Sequence, residues 1–213
     1  LNGGSATSYV DEKKNAGFNT ELFELHSRLF SRYAEQARGK PKGITPAFIQ
    51  PDRSGGPSFL ELKFRALLLM ILRYKKELAR EGISDQGPTP LPLFQMTSVY
   101  NNELLARTYD HYEKSPLLSD LIEETGVKVT DVYTGIQPLI AAYTHSSQGL
   151  PKGVFTEAWG RENSLLPLPG GHGQNFIALR EVYLRLYEEG YRFAYLGNVD
   201  NLGNLPDPKT IAL

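Results

Sequence analysis

Only one histidine of this chain sits between glycines: His172, in LPLPGGHGQNF at 166–176. An imidazole can donate a hydrogen bond in either protonation state, so titration does not remove that ability. Glycines beside it either make a turn with φ > 0 or let the backbone approach a ligand that any Cβ would hold off. The spacing allows both. Other polar residues close apolar stretches in the same way: Thr97 and Ser98 after LFQM, Gln137 after VYTGI, and Asp200 in NVDN. The Gln137 amide both donates and accepts, which suits reading a base edge, and Asp200 is the only carboxylate of its cluster. By residue type alone, each is equally a polar residue at the end of a strand.

These residues need a framework that gathers strand ends. Asn19 and Thr20 are caps for TELFELHSRLFSRYAEQAR, where Leu22, Leu25, Leu29 and Tyr33 recur at helical spacing. GKPKGITPAFIQPDRSGGP reads as a loop. Ser58 and Glu61 form a capping box for FLELKFRALLLMILRYKKELAREG, and Gly82 is its stop. Beyond it, PLPLFQMTS predicts a strand, VYNNELLARTYDHYEK a helix, VKVTDVYTG a strand, FIALREVYLRLYEEG a helix and RFAYLGNVDN a strand. This alternation predicts an α/β chain with a mostly parallel sheet flanked by helices. Ligands of such sheets collect beyond the C-terminal strand ends, which makes MTS, YTGIQ, GHG and NVDN candidates for one site.

Composition narrows the classes. The 213 residues carry 23 basic and 24 acidic side chains, a net charge of −1, and no cysteine. No basic excess or stripe is present to neutralise a nucleic-acid backbone, so nucleic acid is not an expected partner. Without cysteine there is no disulfide framework and no zinc–thiolate site. The longest apolar run, Ala66 to Leu72, is far too short to span a bilayer, and no secretory apolar region is evident, so the expected compartment is the cytoplasm. One domain, 1–213, is expected. Its glycine loop starts without a preceding strand and PDPKTIAL reads as the start of a helix, which points to an incomplete fragment of a longer chain.

LNGG…T at 1–7, PKG at 41–43, FLEL at 59–62, MTS, Gln137, PGGHG at 169–173 and NVDNLG at 198–203 occur in an order that resembles the UTP–glucose-1-phosphate uridylyltransferase (UDP-glucose pyrophosphorylase) family. The resemblance spans most of the chain. It implies a Rossmann-like nucleotide-diphospho-sugar transferase fold and transfer of uridylyl from UTP to a hexose 1-phosphate, glucose 1-phosphate first, with Mg²⁺ as cofactor. It assigns Leu1, Asn2, Gly3, Gly4, Gln137, Gly171, Asn198 and Val199 to the nucleotide, His172 to the sugar phosphate, and Asp200 to the metal. Lysine would supply a compact positive charge to the phosphates.

The chain departs from the family pattern at the glycine loop, where Ala6 replaces a glycine, and two lysines compete for the phosphate. Lys14 lies close behind the loop; Lys42 lies in PKG, which precedes FLEL in the family's order, and is the expected catalytic lysine. Two other readings stand beside this one. A UDP-N-acetylhexosamine pyrophosphorylase would usually carry glycine-asparagine-glycine where this chain has GHG. A nucleotide-binding fragment without turnover would keep the base contacts alone. His26, His111 and His145 read as structural, and TEAWG at 156–160 as a packing feature around Trp159.

Overall fold

The computed structural model describes residue 4 and residues 10–84, 92–144 and 152–207. Leu1, Asn2, Gly3, His145 and the PKTIAL end lie outside them. Local signals set the helix starts. Asp11 caps α1 (Glu12–Ala16), accepting from the Lys14 amide at 3.0 Å. Asn19 caps α2 (Thr20–Ala37) through the Leu22 amide, also at 3.0 Å. Ser58 caps α3 (Phe59–Arg80), accepting from the Glu61 amide at 3.2 Å. Each such cap contributes on the order of 1 kcal/mol by satisfying an amide that the helix leaves without a partner.

β1 (Leu93–Ser98) then leads through α4 (Asn102–Tyr112) and α5 (Ser119–Thr125) to β2 (Val132–Gln137). β1 and β2 pair in parallel, from Leu93 opposite Val132 to Ser98 opposite Gln137, so the helices form the crossover that a parallel pair requires. β3 (Leu139–Ala141) pairs antiparallel with β4 (Pro167–Pro169), and α6 (Asn175–Ala178) and α7 (Arg180–Glu188) follow.

The core lies on α3. Leu60, Phe64, Leu68 and Ile71, at helical spacing, meet Leu105, Tyr109 and Tyr112 of α4 together with Leu118, Val127 and Val129. Phe64 stands edge-on to both tyrosine rings, with centroids 5.7 and 6.1 Å away. Leu105 is fully buried at the centre of this contact. Leu105→Ala is expected to lower unfolding free energy by about 2–5 kcal/mol, because the surrounding helices close only partly over the cavity. Denaturant unfolding checks this; a loss below about 1 kcal/mol would mean that α3 and α4 do not share a rigid core.

The architecture is mixed helix and strand, but the predicted mostly parallel sheet is smaller than expected. Among the described residues it comprises two strands, with the second pair antiparallel. RFAYLGNVDN does not become a strand: residues 191–198 run without helix, turn or bend but join no ladder. Strand identity depends on a neighbour, and none of the described strands lies alongside. The predicted strand VKVTDVYTG starts later, at Val132, because Val127 and Val129 are drawn into the core. The last predicted helix breaks at Leu179, which is 1% exposed and leaves helical geometry as it buries.

Two surface expectations also change. Leu22, Leu25 and Leu29 form the anticipated stripe on α2 but are all exposed, while Ala34 and Ala37 at the other end are buried. Trp159 is exposed in left-handed backbone geometry rather than packed, and Ala158 fills the interior beside it. His26 and His111 are exposed as well. No helix among the described residues is long and apolar enough to cross a membrane.

Candidate functional site

The residues singled out by sequence form two groups. The first joins three distant segments. After Pro41 the chain makes a single 3-10 turn, Lys42–Ile44, whose start is tied to the glycine loop: the Lys42 amide donates to the Gly4 carbonyl at 2.9 Å. Thr45, fully buried, holds the other side by donating its hydroxyl to the Lys42 carbonyl at 2.8 Å. The Thr45 carbonyl in turn accepts from the Phe59 amide at 3.2 Å, which fixes this loop to the first turn of α3. Lys42 is thereby aimed across the loop, and its Nζ lies 2.9 Å from Oδ2 of Asp200, 158 residues away in sequence.

Asp200 is positioned from below and from the side. Val199 packs into the core with Leu60 and Phe64, which anchors the segment where the carboxylate emerges. The Asn201 amide donates to the Asn198 carbonyl at 3.2 Å, bending the chain around Asp200. Lys63 of α3 then donates to the Asn201 carbonyl at 2.9 Å and to the Asn204 carbonyl. Burial holds the Lys63 ammonium below the ordinary lysine range. Sequence reasoning missed Lys63; its only signal was a cation inside FLEL–K, on the helix that opens the site. The Lys42 and Asp200 side chains keep 29% and 21% exposure, so both charges remain reachable by a ligand. Lys14, in contrast, is exposed on α1.

The second group is the GGHG turn and the end of β2. Gln137 is 4% exposed, and its Nε2 donates to the Gly171 carbonyl and to Gln174 Oε1, both at 2.9 Å. Gln174 Oε1 also accepts from the Gly170 amide at 2.8 Å, so one amide side chain clamps the turn from each direction. Gly171 has φ 94° and ψ 174°, a region that side chains with a Cβ scarcely enter. The turn is brought to β2 by close approach: a Cβ on Gly135 would lie 2.5 Å from the Ala178 carbonyl oxygen of α6. Gly135 is thus a second residue missed from sequence, although a glycine inside a strand signals such contact.

His172 starts the short 3-10 turn His172–Gln174 and is exposed, free of any burial that would hide its ring. Ser98 is the register partner of Gln137 across the parallel pair, which puts the MTS end beside YTGIQ. The Thr97 hydroxyl is already engaged, donating to Asn102 Oδ1 at 2.8 Å, and Asn101 Oδ1 takes the Ser98 amide at 3.0 Å. These two residues shape the start of α4 more than they present groups to a ligand. The Val199 side chain belongs to the core.

Among the described residues, no group of three or more histidine or carboxylate side chains gathers as a self-sufficient metal cage. A single carboxylate such as Asp200 fits Mg²⁺ by donor type, since that ion keeps several waters and takes one or two carboxylates. Searches against known protein families and against curated proteins found no match.

Proposed function

We propose that this chain transfers uridylyl from UTP to a hexose 1-phosphate, with glucose 1-phosphate the first candidate, releasing pyrophosphate. The observation that carries the reading is the meeting of Lys42, Asp200 and Gly4: an oriented cation and a carboxylate beside a glycine backbone. The order of motifs in the sequence supports the same reading.

In this reaction an oxygen of the sugar phosphate attacks the α-phosphorus of UTP, and the bond to the β-phosphoryl oxygen breaks. Two polyanions have to be brought together, so catalysis is mainly positioning and charge stabilisation. Lys42 gives its ammonium to the phosphates, and Asp200 supplies the carboxylate that would hold Mg²⁺. When bound, the metal would neutralise phosphate charge. Lys42 and Asp200 lie 2.9 Å apart, so a phosphate and a cation bound here would each meet one member of the pair. The backbone at Gly4 approaches the nucleotide, and Asn198 and Val199 offer backbone and amide groups next to Asp200; Leu1, Asn2 and Gly3 have the nucleotide role on the sequence resemblance alone. His172 meets the sugar phosphate from its exposed turn.

Gln137 selects the base in two ways under this proposal. It shapes the Gly171 backbone that faces the uracil, and with both Nε2 hydrogens committed its Oε1 is left as an acceptor. Uracil N3–H is a donor, whereas cytosine N3 is an acceptor and meets that oxygen unfavourably. Gln137→Ala is expected to weaken UTP binding and to reduce the preference for UTP over CTP by roughly tenfold, the scale of one hydrogen bond to a buried polar group. Calorimetric titration of both nucleotides decides it; unchanged affinity and selectivity would remove Gln137 from the base site.

The reaction itself is tested by incubating the protein with UTP, Mg²⁺ and a panel of hexose 1-phosphates while measuring released pyrophosphate. Release with glucose 1-phosphate and not with N-acetylglucosamine 1-phosphate supports the proposal. Nucleotide binding without release from any sugar phosphate overturns it.

A further inference from the structure

Outside the phosphate and base groups, α2 is apolar along two lines. Phe23, Phe30, Ala34 and Ala37 recur at helical spacing and turn toward the rest of the chain: both alanines are buried, and the part-buried phenylalanine rings meet edge to face with centroids 5.0 Å apart. Leu22, Leu25 and Leu29 form the other line and are 57, 75 and 51% exposed; Phe18, just ahead of the Asn19 cap, extends it at 80%. At 3.6 residues per turn the two lines stand roughly 130° apart around the helix, too far for one neighbouring surface to cover both. A helix apolar on two sides is built to be covered on two sides.

The inward line ties down the C-terminal turns of α2. Gln36 Nε2 donates to the Arg53 carbonyl at 3.3 Å, and the Tyr33 hydroxyl, part-buried, meets the Thr45 side chain. The exposed leucines come earlier, between the Asn19 cap and these ties, so they stand at the end of the helix that its own chain holds least.

Steps of three and four along Leu22, Leu25 and Leu29 are those by which two helices interlock their side chains. Charge selects the partner and its direction. Glu21 and Arg28 each directly precede a leucine of the stripe, so they share one flank; both are exposed, and neither forms an ion pair among the described residues. In an antiparallel pair of such helices like flanks face each other, which sets Glu21 of one against Arg28 of the other, twice by symmetry. In a parallel pair this flank would meet the opposite one, with His26 and Tyr33, where no carboxylate or guanidinium answers it. Parallel pairing would also crowd both tied C-terminal ends, each with its own chain packed on it, into one place, whereas antiparallel pairing sends them to opposite ends.

We propose that α2 pairs with α2 of a second copy of this chain, antiparallel about a two-fold axis that passes between Phe23 and Glu24. Leu22 then packs beside Leu25 of the second copy and Leu29 beside its Phe18, while the two Glu21–Arg28 pairs close one side of the seam. The same patch serves both copies, as a two-fold contact requires. Two short helices bury only roughly 1,000 Å² or less between them, the range of weak and reversible association, so the dissociation constant is expected to be on the order of tens of micromolar. This inference does not depend on the uridylyl-transfer reading.

Sedimentation velocity over a concentration series tests it. The 213-residue chain is expected to pass reversibly from monomer to dimer. Leu25→Glu changes the most exposed of the three leucines, so its circular dichroism should match the parent, and it is expected to weaken association by about tenfold or more by placing a charge in the apolar seam. Glu21→Arg and Arg28→Glu each set like charges opposite one another, and each is expected to weaken the dimer about threefold to tenfold at low salt. Combined, the two changes rebuild both pairs with the sides exchanged and should restore the parent affinity to within about twofold. A chain that stays monomeric throughout the series overturns the proposal and leaves the stripe to a different partner. So does a dimer indifferent to Leu25→Glu, or a double variant that associates no more tightly than either single one, which would exclude the antiparallel arrangement.

Discussion

Asp200→Ala is expected to lower Mg²⁺-dependent pyrophosphate release by on the order of a hundredfold or more, the largest effect of any single change in this chain. The side chain has two tasks in the proposed reaction, holding the cation and holding Lys42 in place before the nucleotide arrives, and alanine removes both. Asp200→Asn separates them, since it keeps the volume and a hydrogen-bond acceptor for Lys42 while removing the charge that binds Mg²⁺. It should therefore be nearly as inactive as alanine. Stability distinguishes this from a structural ion pair. With 29 and 21% exposure of its members, the pair contributes on the order of 1 kcal/mol to folding, so both variants should melt within a few degrees of the parent. Near-normal turnover by the asparagine variant would remove Asp200 from the metal site and leave it as a strut.

Lys42→Ala is expected to reduce kcat and kcat/KM together by about a hundredfold at saturating UTP and Mg²⁺, as for a group whose charge is felt most in the transition state. Lys14→Ala should change either value by no more than a few-fold. The contrast is structural. Lys42 is held by three neighbours, through the Gly4 carbonyl, the Thr45 hydroxyl and Asp200, whereas Lys14 lies exposed on the five-residue α1. Arginine at position 42 should restore little, because its longer planar fork does not put a compact point charge where the ammonium sits. If Lys14→Ala shows the larger loss in kcat, the phosphate site belongs to the other end of the glycine loop. A rise in KM alone for Lys42→Ala would make this lysine a ground-state contact instead of a transition-state one.

Several parts of this molecule were decided by sequence alone. The starts of α2 and α3 were legible because Asn19 and Ser58 act on amides three residues away, within reach of a single side chain. The face of α3 that fills the core was legible for the same reason: its period is a property of one helix. Lys42, Gln137, Gly171 and Asp200 could be named as residues able to do chemistry, but their grouping could not be derived from spacing. Lys42 meets Asp200 across 158 residues, and Gln137 meets Gly171 across 34, distances over which only the packing of α3 and β2 determines neighbours. Tertiary structure alone also decided that the apolar stripe of α2 stays uncovered, that Thr97 spends its hydroxyl on Asn102, and that 191–198 joins no ladder. A cap or a helical period is satisfied within its own segment, whereas burial, strand pairing and the partner of a charge each need a second surface, and the sequence of one segment does not contain it.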